Sequence, residues 1–471
     1  MSGTVPPTPA ETPEQALARA QAATQARRFG EAAGICNDVL AVSPDNPQAL
    51  ALLGAIAAHT QDLDRGIALL EAAVAARPDV ATWHANLGAL YRMVYRVQDA
   101  LTAGQEAVRL DPQNADHLVN LSLAFADADN REHAMVCLLR AIGLQPEHAD
   151  AHLALGQNLL ALGEFAPGWL EYEWRNRTEA GKTALPGMTS AAWNGMRIPN
   201  GRLLMVGDQG YGDTIQFARY IPALAERCEQ LILGCSAEMA PLLAAMPGVA
   251  QYCHRWTDVP AHAAHCRLSS APGLLHTALE TIPACIPYLF ADPVRVAVWR
   301  ERLDARLPPD TRRIGLAWIG RPTHPNDRRR SMALARLAPL GTVAGASFVS
   351  LQKPLPPSDA ASVPLFPGLA DLSDTLADFG ETAAVIANLD MVIAADTAVG
   401  HLAGALGKPV WILLPKAADW RWLLGRSDSP WYPTARLFRQ TIPGAWDQVI
   451  AEAAAALAHA LLTHASGAAA L

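Results

Sequence analysis

The stretch Ser43-Pro44-Asp45-Asn46-Pro47-Gln48-Ala49-Leu50-Ala51-Leu52-Leu53-Gly54 decides the fold of the first third of the chain, because its features recur at a fixed interval. Proline returns at positions 78, 112 and 146, so that successive prolines stand 34 residues apart. The pair Leu53-Gly54 returns as Leu-Gly at 87–88 and 155–156 and as Leu-Ser at 121–122. A constant period of this length predicts a stack of similar supersecondary units.

Two further columns of small or apolar residues keep the same period: Ala32, Gly66, Ala100, Ala134 and Gly168, then Val39, Ala73, Ala107 and Ala141. Small side chains let helices approach closely where they cross, and each helix pair needs its neighbours to bury its apolar stripe. The period is that of the tetratricopeptide (TPR) repeat, so we predict an α-solenoid of about five repeats over residues 13–177. Such an array offers a binding groove and carries no chemistry.

Composition limits the class of protein. A chain of 471 residues exceeds what one core holds, and 51% apolar with 17% charged residues indicates a folded protein of several domains. The net charge of −8 argues against a general nucleic-acid binder, which presents a basic face. Seven cysteines without a C-x-x-C pair fit reduced thiols in a cytosol.

The sequence gives no sign of export or membrane insertion. Residues 1–12 are rich in Pro and Thr and are expected to be a disordered tail, without the basic and apolar regions of a secretory signal. No apolar run reaches about 18 residues, so no transmembrane segment is expected. We therefore expect a cytoplasmic protein.

Beyond the array, short apolar runs alternate with helix-length segments. The predicted strands are Leu203–Val206, Leu231–Gly234, Ile314–Trp318, Phe348–Leu351, Met391–Ala394 and Val410–Leu414. This alternation predicts parallel sheets built from βαβ units. A helical stretch, Pro293–Leu307, divides them into two Rossmann-like halves that face each other across a cleft, at residues 201–300 and 301–466.

Three segments frame these halves. Residues 178–200, rich in Gly, Pro and Ser, are predicted to be a linker. The aromatic segment Trp169–Trp174, at the end of the array, is predicted to dock onto the following domain. An apolar helix near residues 445–464 is predicted to close the chain, and Gly467 begins a frayed end.

A glycine-rich turn follows the first predicted strand, at Gly207-Asp208-Gln209-Gly210-Tyr211-Gly212-Asp213. Glycines let a ligand approach the backbone, so Gly210 and Gly212 are predicted to form a loop near the cleft. The order of the glycines is not the G-x-G-x-x-G of dinucleotide binding, and no acidic residue ends the next strand, so we exclude NAD. Asp213 either caps a helix together with Gln216 or serves as a catalytic carboxylate, and spacing leaves both open.

A second candidate site follows a later strand and reads Asp396-Thr397-Ala398-Val399-Gly400-His401. Thr397 and the following N–H groups would lie at a helix N-terminus beyond a strand end, where α/β folds bind phosphates. His401 stands four residues after Thr397, so both face the same side of that helix. The alternative is that Asp396 or Thr397 only caps the helix and that His401 is a core histidine.

Three further loops lie at predicted strand ends. Arg328 and Arg330 either neutralise a diphosphate or belong to a solvated loop. Gln352 and Lys353 follow another strand, where a lysine can reach a phosphate. Trp420 belongs to an aromatic segment that either stacks on a base or sugar in the cleft or packs two domains together.

Two of these motifs resemble a known family. The stretch Gly210-Tyr-Gly-Asp213-Thr-Ile-Gln-Phe-Ala-Arg-Tyr-Ile-Pro-Ala-Leu224 is similar to the N-terminal motif of bacterial heptosyltransferase-like glycosyltransferases, which carries the proposed base. The stretch Asp396–His401 is similar to that family's D-T-G-x-x-H donor motif, with Ala398 in place of the usual glycine. The resemblance covers about residues 201–440, and the whole chain resembles bacterial proteins that join TPR repeats to such a domain.

The resemblance implies a TPR α-solenoid followed by a GT-B fold of two Rossmann-like domains. It implies a metal-independent glycosyltransferase without a cofactor, whose substrate is a nucleotide-sugar donor. Asp213 would be the base, and the second half would hold the donor through Gln352, Lys353, Asp396, Thr397, Ala398, His401, Arg328 and Arg330. The array would hold a protein acceptor, which is flagellin for some proteins of this plan.

Two other functions are compatible with the sequence. Ala398 and the unusual Gly-Asp-Gln-Gly turn leave open a non-catalytic TPR/GT-B scaffold or binding protein. A transferase of the lipopolysaccharide core is disfavoured, because a lipid acceptor gives no reason for five TPR repeats. The nucleotide, the sugar and the acceptor are not specified by these motifs.

Overall fold

The computed structural model describes residues 11–183, 185, 188–208, 210–322, 324, 326–366 and 368–465. Most of the predicted N-terminal tail, and the predicted frayed end from Gly467, lie outside the described residues. The chain forms two compact units, residues 1–151 and 152–471.

The described part of the first unit consists of paired helices: α1 (Pro13–Gln25), α2 (Phe29–Val42), α3 (Pro47–Thr60), α4 (Leu63–Ala76), α5 (Ala81–Met93), α6 (Val97–Leu110), α7 (Ala115–Asp127) and α8 (Arg131–Leu144). Helix α9 (Ala149–Ala161) crosses the division between the units, and α10 (Phe165–Tyr172) follows it. These helices form the predicted TPR repeats, as five pairs that begin with α1, α3, α5, α7 and α9.

Local sequence explains where these helices begin and how closely they cross. Asn46 caps α3, since its Oδ1 accepts from the N–H groups two and three residues later, at 3.1 and 3.0 Å. Pro47 is then the first helical residue, where its missing N–H costs nothing. A Cβ on Gly54 would lie 2.6 Å from Cγ of Leu70, so this glycine permits the close approach of α3 and α4.

The turn inside each helix pair contains one residue with a left-handed backbone conformation. Successive residues of this kind are 34 positions apart: Arg27, Gln61, Tyr95, Asp129 and Gly163, with φ of 58°, 63°, 63°, 63° and 83°. The last of these is a glycine, which adopts positive φ freely. The other four carry a side chain in a conformation that costs roughly 1–2 kcal/mol each.

The second unit contains two parallel sheets. The strands are β1 (Ala191–Ala192), β2 (Ile198–Val206), β3 (Cys228–Gly234), β4 (Val249–Cys253), β5 (Ala264–Arg267), β6 (Arg312–Ala317), β7 (Ala346–Ser350), β8 (Leu369–Asp371), β9 (Met391–Ala395), β10 (Val410–Leu414) and β11 (Ala435–Arg439). The first sheet has the order β1-β5-β2-β3-β4 and the second β11-β10-β9-β6-β7-β8. The second order is that of a Rossmann fold. Strands β6 to β8 are added towards one edge of the sheet and β9 to β11 towards the other, so the strand order reverses between β6 and β9.

Helices of the second unit cover and connect these strands: α11 (Glu179–Thr183), α12 (Tyr211–Phe217), α13 (Ile221–Ala225), α14 (Ala240–Leu243), α15 (Ala271–Leu274), α16 (Pro293–Asp304), α17 (Asp327–Arg330), α18 (Ala338–Gly341), α19 (Pro357–Ala360), α20 (Phe379–Ala387), α21 (Ala398–Ala405) and α22 (Trp446–Ala465). Short 3-10 turns lie at Glu173–Asn176, Ala218–Tyr220, Ala237–Met239, Trp256–Asp258, Leu268–Ser270, Leu279–Thr281, Leu334–Leu337, Val363–Leu365 and Trp420–Trp422.

The predicted strands are confirmed as β2, β3, β6, β7, β9 and β10, and the predicted divider and closing helices as α16 and α22. The strands that the sequence did not predict lie at or next to sheet edges and keep exposed or half-buried residues, so they lack a continuous apolar run. The described part of the predicted linker 178–200 contains α11, β1 and the start of β2. We keep the domain boundaries at 178, 201 and 301 as a proposal.

The last repeat is built into the second unit. Nε1 of Trp169, in α10, donates to the carbonyl oxygen of Thr277 at 2.9 Å, and its ring meets that of Trp420 edge-on with centroids 5.3 Å apart. Nη2 of Arg175 donates to the hydroxyl of Ser269 at 2.9 Å. The predicted docking of this aromatic segment is confirmed. Among the described helices, none is long and apolar enough to cross a membrane.

We predict that Gln61→Gly raises the free energy of unfolding by roughly 0.5–1 kcal/mol, because glycine tolerates the positive φ of this turn, partly offset by its larger unfolded-state entropy. The matched change Gly163→Ala should lower it through backbone strain alone, since a Cβ there meets no described atom within 4 Å. Denaturant titration followed by far-ultraviolet circular dichroism measures both. Destabilisation by Gln61→Gly would contradict strain in the turn.

Candidate active site

The carboxyl ends of β6 and β9 border the crevice of the second sheet, where sheets of this order bind ligands. Thr397 follows β9 and is the N-cap residue of α21, as predicted, with φ −139° and ψ 167°. Among the described residues its side chain makes no capping hydrogen bond, and its Oγ1 is buried without a hydrogen-bond partner. Because such an atom is costly, it suits a ligand that supplies the missing partner.

Asp396 and His401 lie buried at the base of this crevice. Nε2 of His401 lies 3.6 Å from Oδ1 of Asp396, and Nδ1 lies 2.9 Å from Oη of Tyr432. The imidazole also stacks on the ring of Trp422, with centroids 5.3 Å apart. The burial of His401 fits a core histidine, while its contact with Asp396 ties it to the candidate donor motif.

The pKa values of this pair shift for opposing reasons. Burial lowers the pKa of His401, so the imidazole is neutral at pH 7. Burial alone would raise the pKa of Asp396, but His401, Arg421 and Arg330 outweigh it and hold that pKa below its usual range. The result is a carboxylate beside a neutral ring, in which Nε2 can donate and Nδ1 can accept from Tyr432.

The loop after β6 brings one of the two predicted arginines to the motif. Nη1 of Arg330 donates to the carbonyl oxygen of Asp396 at 2.8 Å. Arg328 is exposed to solvent, two residues away. Arg330 therefore belongs to the crevice, whereas Arg328 fits the alternative of a solvated loop.

The residues after β7 bind backbone groups. Oε1 of Gln352 accepts from two successive N–H groups just beyond β6, at 3.2 and 3.0 Å, and so fixes the end of that strand. Nζ of Lys353 donates to the carbonyl oxygens of Leu376 and Ala377, ahead of α20. Their predicted contacts with a phosphate stay a prediction.

Asp213 lies in α12, on the first sheet's side of the crevice. That helix begins at Tyr211, with Gly210 as its N-cap residue. Asp213 is therefore the third helical residue, and the interpretation of Asp213 as the N-cap is wrong. The reason is that Gly210, with φ −99° and ψ 135°, starts the helix earlier than the spacing to Gln216 suggested.

The carboxylate of Asp213 pairs with Arg421 of the second half. Oδ1 accepts from Nη2 of Arg421 at 2.5 Å, and the side chain of Arg421 is only 10% exposed. Nε of Arg421 lies 3.4 Å from Oδ1 of Asp419. Burial opposes its charge, but Asp419, Asp213 and Asp396 more than offset this and raise the pKa of Arg421 above its usual value.

Sequence reasoning missed Arg421, which stands between Trp420 and Trp422. The available signal was an arginine flanked by two tryptophans, since a charge carried into an apolar environment needs a partner. Trp420 itself is buried against the rings of Trp169, Tyr172 and Trp431, with centroids 5.3, 5.8 and 6.0 Å apart. Trp420 therefore packs within the second unit, which favours the packing alternative over stacking on a base or sugar in the cleft.

The two predicted cleft glycines allow α12 to approach α21. A Cβ on Gly212 would lie 2.8 Å from Cδ2 of His401 and 3.7 Å from Cα of Ala398. A Cβ on Gly210 would lie 2.5 Å from Oδ2 of Asp213. Gly212 is part of α12 and not of a loop, and it sets the distance between the two motifs.

In the first sheet the strand order reverses between β2 and β5, and protein side chains occupy this position. The carboxylate of Asp208 accepts from the N–H of Ser269 at 2.8 Å and from its hydroxyl. Burial raises the pKa of Asp208 to about 6. Nη2 of Arg175 donates to the hydroxyl of the same serine, so the segment that follows the last repeat packs at this point.

A cavity of about 300 Å³ opens at the carboxyl ends of β2, β3 and β4. Tyr211 and Trp256 line it with large exposed rings, and Ser236 contributes a hydroxyl. Arg321, from the loop after β6, also lines it, so both halves of the second unit contribute. The cavity therefore lies beside the helix that carries Asp213.

Models of known families match one segment in each part of the chain. A family model for the tetratricopeptide repeat matches residues 23–90, and one for glycosyltransferase family 9 (heptosyltransferase) matches residues 376–415. The second match covers α20, β9, α21 and β10, and with them the Asp396–His401 motif. Asp213 lies outside the matched residues.

Protein FlbA of Caulobacter vibrioides is 28% identical over 436 residues, which covers 85% of this chain and 72% of that protein. The BBSome complex member BBS4 homolog of Drosophila melanogaster is 26% identical over 128 residues, 27% of this chain and 26% of that protein. The chain thus combines TPR repeats with a glycosyltransferase-like α/β unit.

Solved structures match part of the chain. The crystal structure of MamA is 20% identical with a TM-score of 0.31, covering 35% of this chain and 97% of that one. TTC0263, a thermophilic TPR protein of Thermus thermophilus, is 19% identical with a TM-score of 0.33, covering 36% and 92%.

We predict that Gly212→Ala destabilises the second unit by about 1–3 kcal/mol, because the added methyl group overlaps the ring of His401. The matched helical change Gly143→Ala, where a Cβ meets no atom of the described chain within 4 Å, should be neutral or stabilising by up to about 1 kcal/mol. Differential scanning calorimetry of both variants measures the effect. Equal melting of the two variants would refute a tight contact between α12 and α21.

Proposed function

We propose that this chain is a glycosyltransferase that moves a sugar from a nucleotide-sugar donor to an acceptor, a protein held by the TPR array. The observation that carries the proposal is the meeting of two motifs across the second unit. Helix α12, which carries Asp213, lies against the family-9-like motif at Asp396–His401, and Asp213 pairs with the buried Arg421, whose charge also acts on Asp396. A cytoplasmic location belongs to the same proposal.

The second half would hold the phosphates of the donor. The N-terminus of α21 offers N–H groups and a positive dipole end, and the hydroxyl of Thr397, unpartnered within the described chain, lies at the same point. Arg330, fixed on the carbonyl of Asp396, adds positive charge. Ala398, the first residue of α21, replaces a glycine of the family motif, so the phosphate would approach the backbone less closely there.

Asp213 would act as the general base of transfer. The acceptor hydroxyl oxygen attacks the anomeric carbon of the sugar while its proton passes to the Asp213 carboxylate. The bond between that carbon and the phosphate oxygen breaks, and the nucleotide leaves with a negative charge that Arg330 and α21 offset. The cavity lined by Tyr211 would receive the acceptor group, since Tyr211 precedes the proposed base by two residues.

One observation favours the second candidate, a non-catalytic scaffold. The carboxylate proposed as the base is already paired with a buried arginine, and α12 packs directly on α21. In that case Arg421 would be a permanent clamp between the halves, and nucleotide-sugars would not be consumed. Release of nucleotide from a panel of ADP-, UDP-, GDP- and CMP-sugars by the purified protein separates the two functions.

We expect Asp213→Asn to reduce nucleotide release and transfer by about 10²–10⁴-fold, because the amide cannot accept the proton. Nucleotide binding should not weaken. Asp428→Asn is the matched control. Asp428 accepts two hydrogen bonds from Arg426, at 2.7 and 2.6 Å, and is not one of the proposed site residues. Turnover by Asp213→Asn at the rate of the control would remove Asp213 from the mechanism.

Thr397→Val separates binding from stability at the donor site. Valine keeps the shape but lacks the hydroxyl, which has no partner to lose in the described part of the protein, so stability should hold or rise by about 1 kcal/mol. Nucleotide affinity should fall, measured as a smaller thermal shift with the same nucleotide. Thr382→Val in α20, whose hydroxyl donates to the carbonyl of Asp378 at 3.2 Å, is the control and should lose stability but not affinity.

A further inference from the structure

We propose that Arg421 is a latch that responds to the donor: it holds Asp213 in an ion pair until the phosphates of the nucleotide take over its guanidinium and release the carboxylate. This inference rests on the proposed function, because it links the ligand of Arg421 to the base of the same reaction. It assigns to Arg421 a control role that neither family motif contains.

The ion pair with Arg421 occupies one oxygen of the Asp213 carboxylate, which an acceptor hydroxyl group would otherwise contact. Oδ1 accepts from Nη2 of Arg421 at 2.5 Å, and Oδ2 faces Gly210 so closely that a Cβ there would lie 2.5 Å away. Arg421 is deeply buried, whereas the side chain of Asp213 is 32% exposed. Exchange of this partner would therefore free Oδ1 as well, so that both oxygens of Asp213 could meet a hydroxyl group.

Arg421 keeps donor capacity for an anion. A guanidinium has five N–H donors in a fork that matches the oxygens of a phosphate. Within the described residues, Nε of Arg421 is buried without a hydrogen-bond partner, 3.4 Å from the nearest oxygen of Asp419. The hydroxyl of Thr397, next to Asp396 in the chain, likewise lacks a partner among them. In the proposed latch, the phosphate that Arg421 takes up would supply the partner that Nε lacks, and a phosphate at the N-terminus of α21 would supply one to Thr397.

The charges around Arg421 decide which partner leaves. Three carboxylates act on it, from Asp419, Asp213 and Asp396. Asp396 is buried below the crevice, and Asp419 is held by the backbone N–H of Arg421 at 3.2 Å. The side chains of Asp213 and Asp419 are equally exposed, at 32% and 33%, but Asp213 alone of the three comes from the other half. Added phosphate charge would therefore displace this carboxylate first.

The backbone around Arg421 is held in a strained conformation. Leu423, two residues later, has φ 52° and ψ −171°, a region that residues with a side chain rarely occupy. Buried Trp420 and Trp422 anchor the turn on either side of Arg421. The turn therefore fixes where the guanidinium starts, while the side chain beyond Cβ provides the movement. Strain of this kind is common at switch segments.

Competition between Asp213 and phosphate for one guanidinium makes a specific prediction. Removing the negative charge of Asp213 should tighten nucleotide binding, because the nucleotide no longer has to displace it. The gain should vanish when Arg421 is absent. A permanent clamp predicts no such coupling, since the nucleotide would not use Arg421.

Isothermal titration calorimetry of the full-length protein with UDP, ADP, GDP and CMP tests the latch. For the nucleotide that wild type binds most tightly, we expect about three- to tenfold tighter binding by Asp213→Asn and roughly tenfold or greater loss in Arg421→Met. The double variant should bind no better than Arg421→Met alone. Asp428→Asn should match wild type.

Unchanged or weaker nucleotide binding by Asp213→Asn would overturn the latch while leaving the proposed function standing. That variant keeps size and a partly exposed position, so the test does not depend on the folding of Arg421→Met. Arg421→Lys, which keeps the charge but not the fork, serves as a second variant and should bind more weakly than wild type. Wild-type protein that binds none of the four nucleotides would overturn the donor site and the latch together.

Discussion

The close approach of α12 to α21 is the contact on which the site depends. It is possible because Gly212 presents no side chain to the ring of His401. From this contact follow the pairing of Asp213 with Arg421 and the position of Asp213 relative to the motif at Asp396–His401. The two parallel sheets supply rigid strand ends, and a single residue without a Cβ decides how near those ends come.

Periodic features of the fold could be predicted from the sequence, and strained features could not. The 34-residue columns and the apolar runs predicted the helix pairs and the central strands, because burial repeats with the geometry of the element. The left-handed turn residues keep the same period, yet Arg27, Gln61 and Tyr95 carry no common side-chain chemistry. Tertiary packing imposes their positive φ, so the residue types at these positions do not predict this backbone conformation.

The candidate site was predictable where a motif is local and not where partners are distant. Thr397 at a helix N-terminus and His401 on the same helix follow from six consecutive residues. Arg421 and Asp213 are 208 residues apart, and no spacing rule connects them. The sequence left two alternatives open for Trp420, because an exposed aromatic loop and a buried aromatic cluster look alike in sequence. The contact of its ring with Trp169 distinguishes them.

The docking of Trp169 and Arg175 has a consequence for how such chains can be recombined. The repeat that ends the array packs as part of the α/β unit, because the indole N–H of Trp169 and the guanidinium of Arg175 donate hydrogen bonds to Thr277 and Ser269. A graft that joined a foreign array near residue 178 would strip these partners away. The natural junction for exchanging arrays lies instead in the turn just before α9, next to the point where the compact units divide.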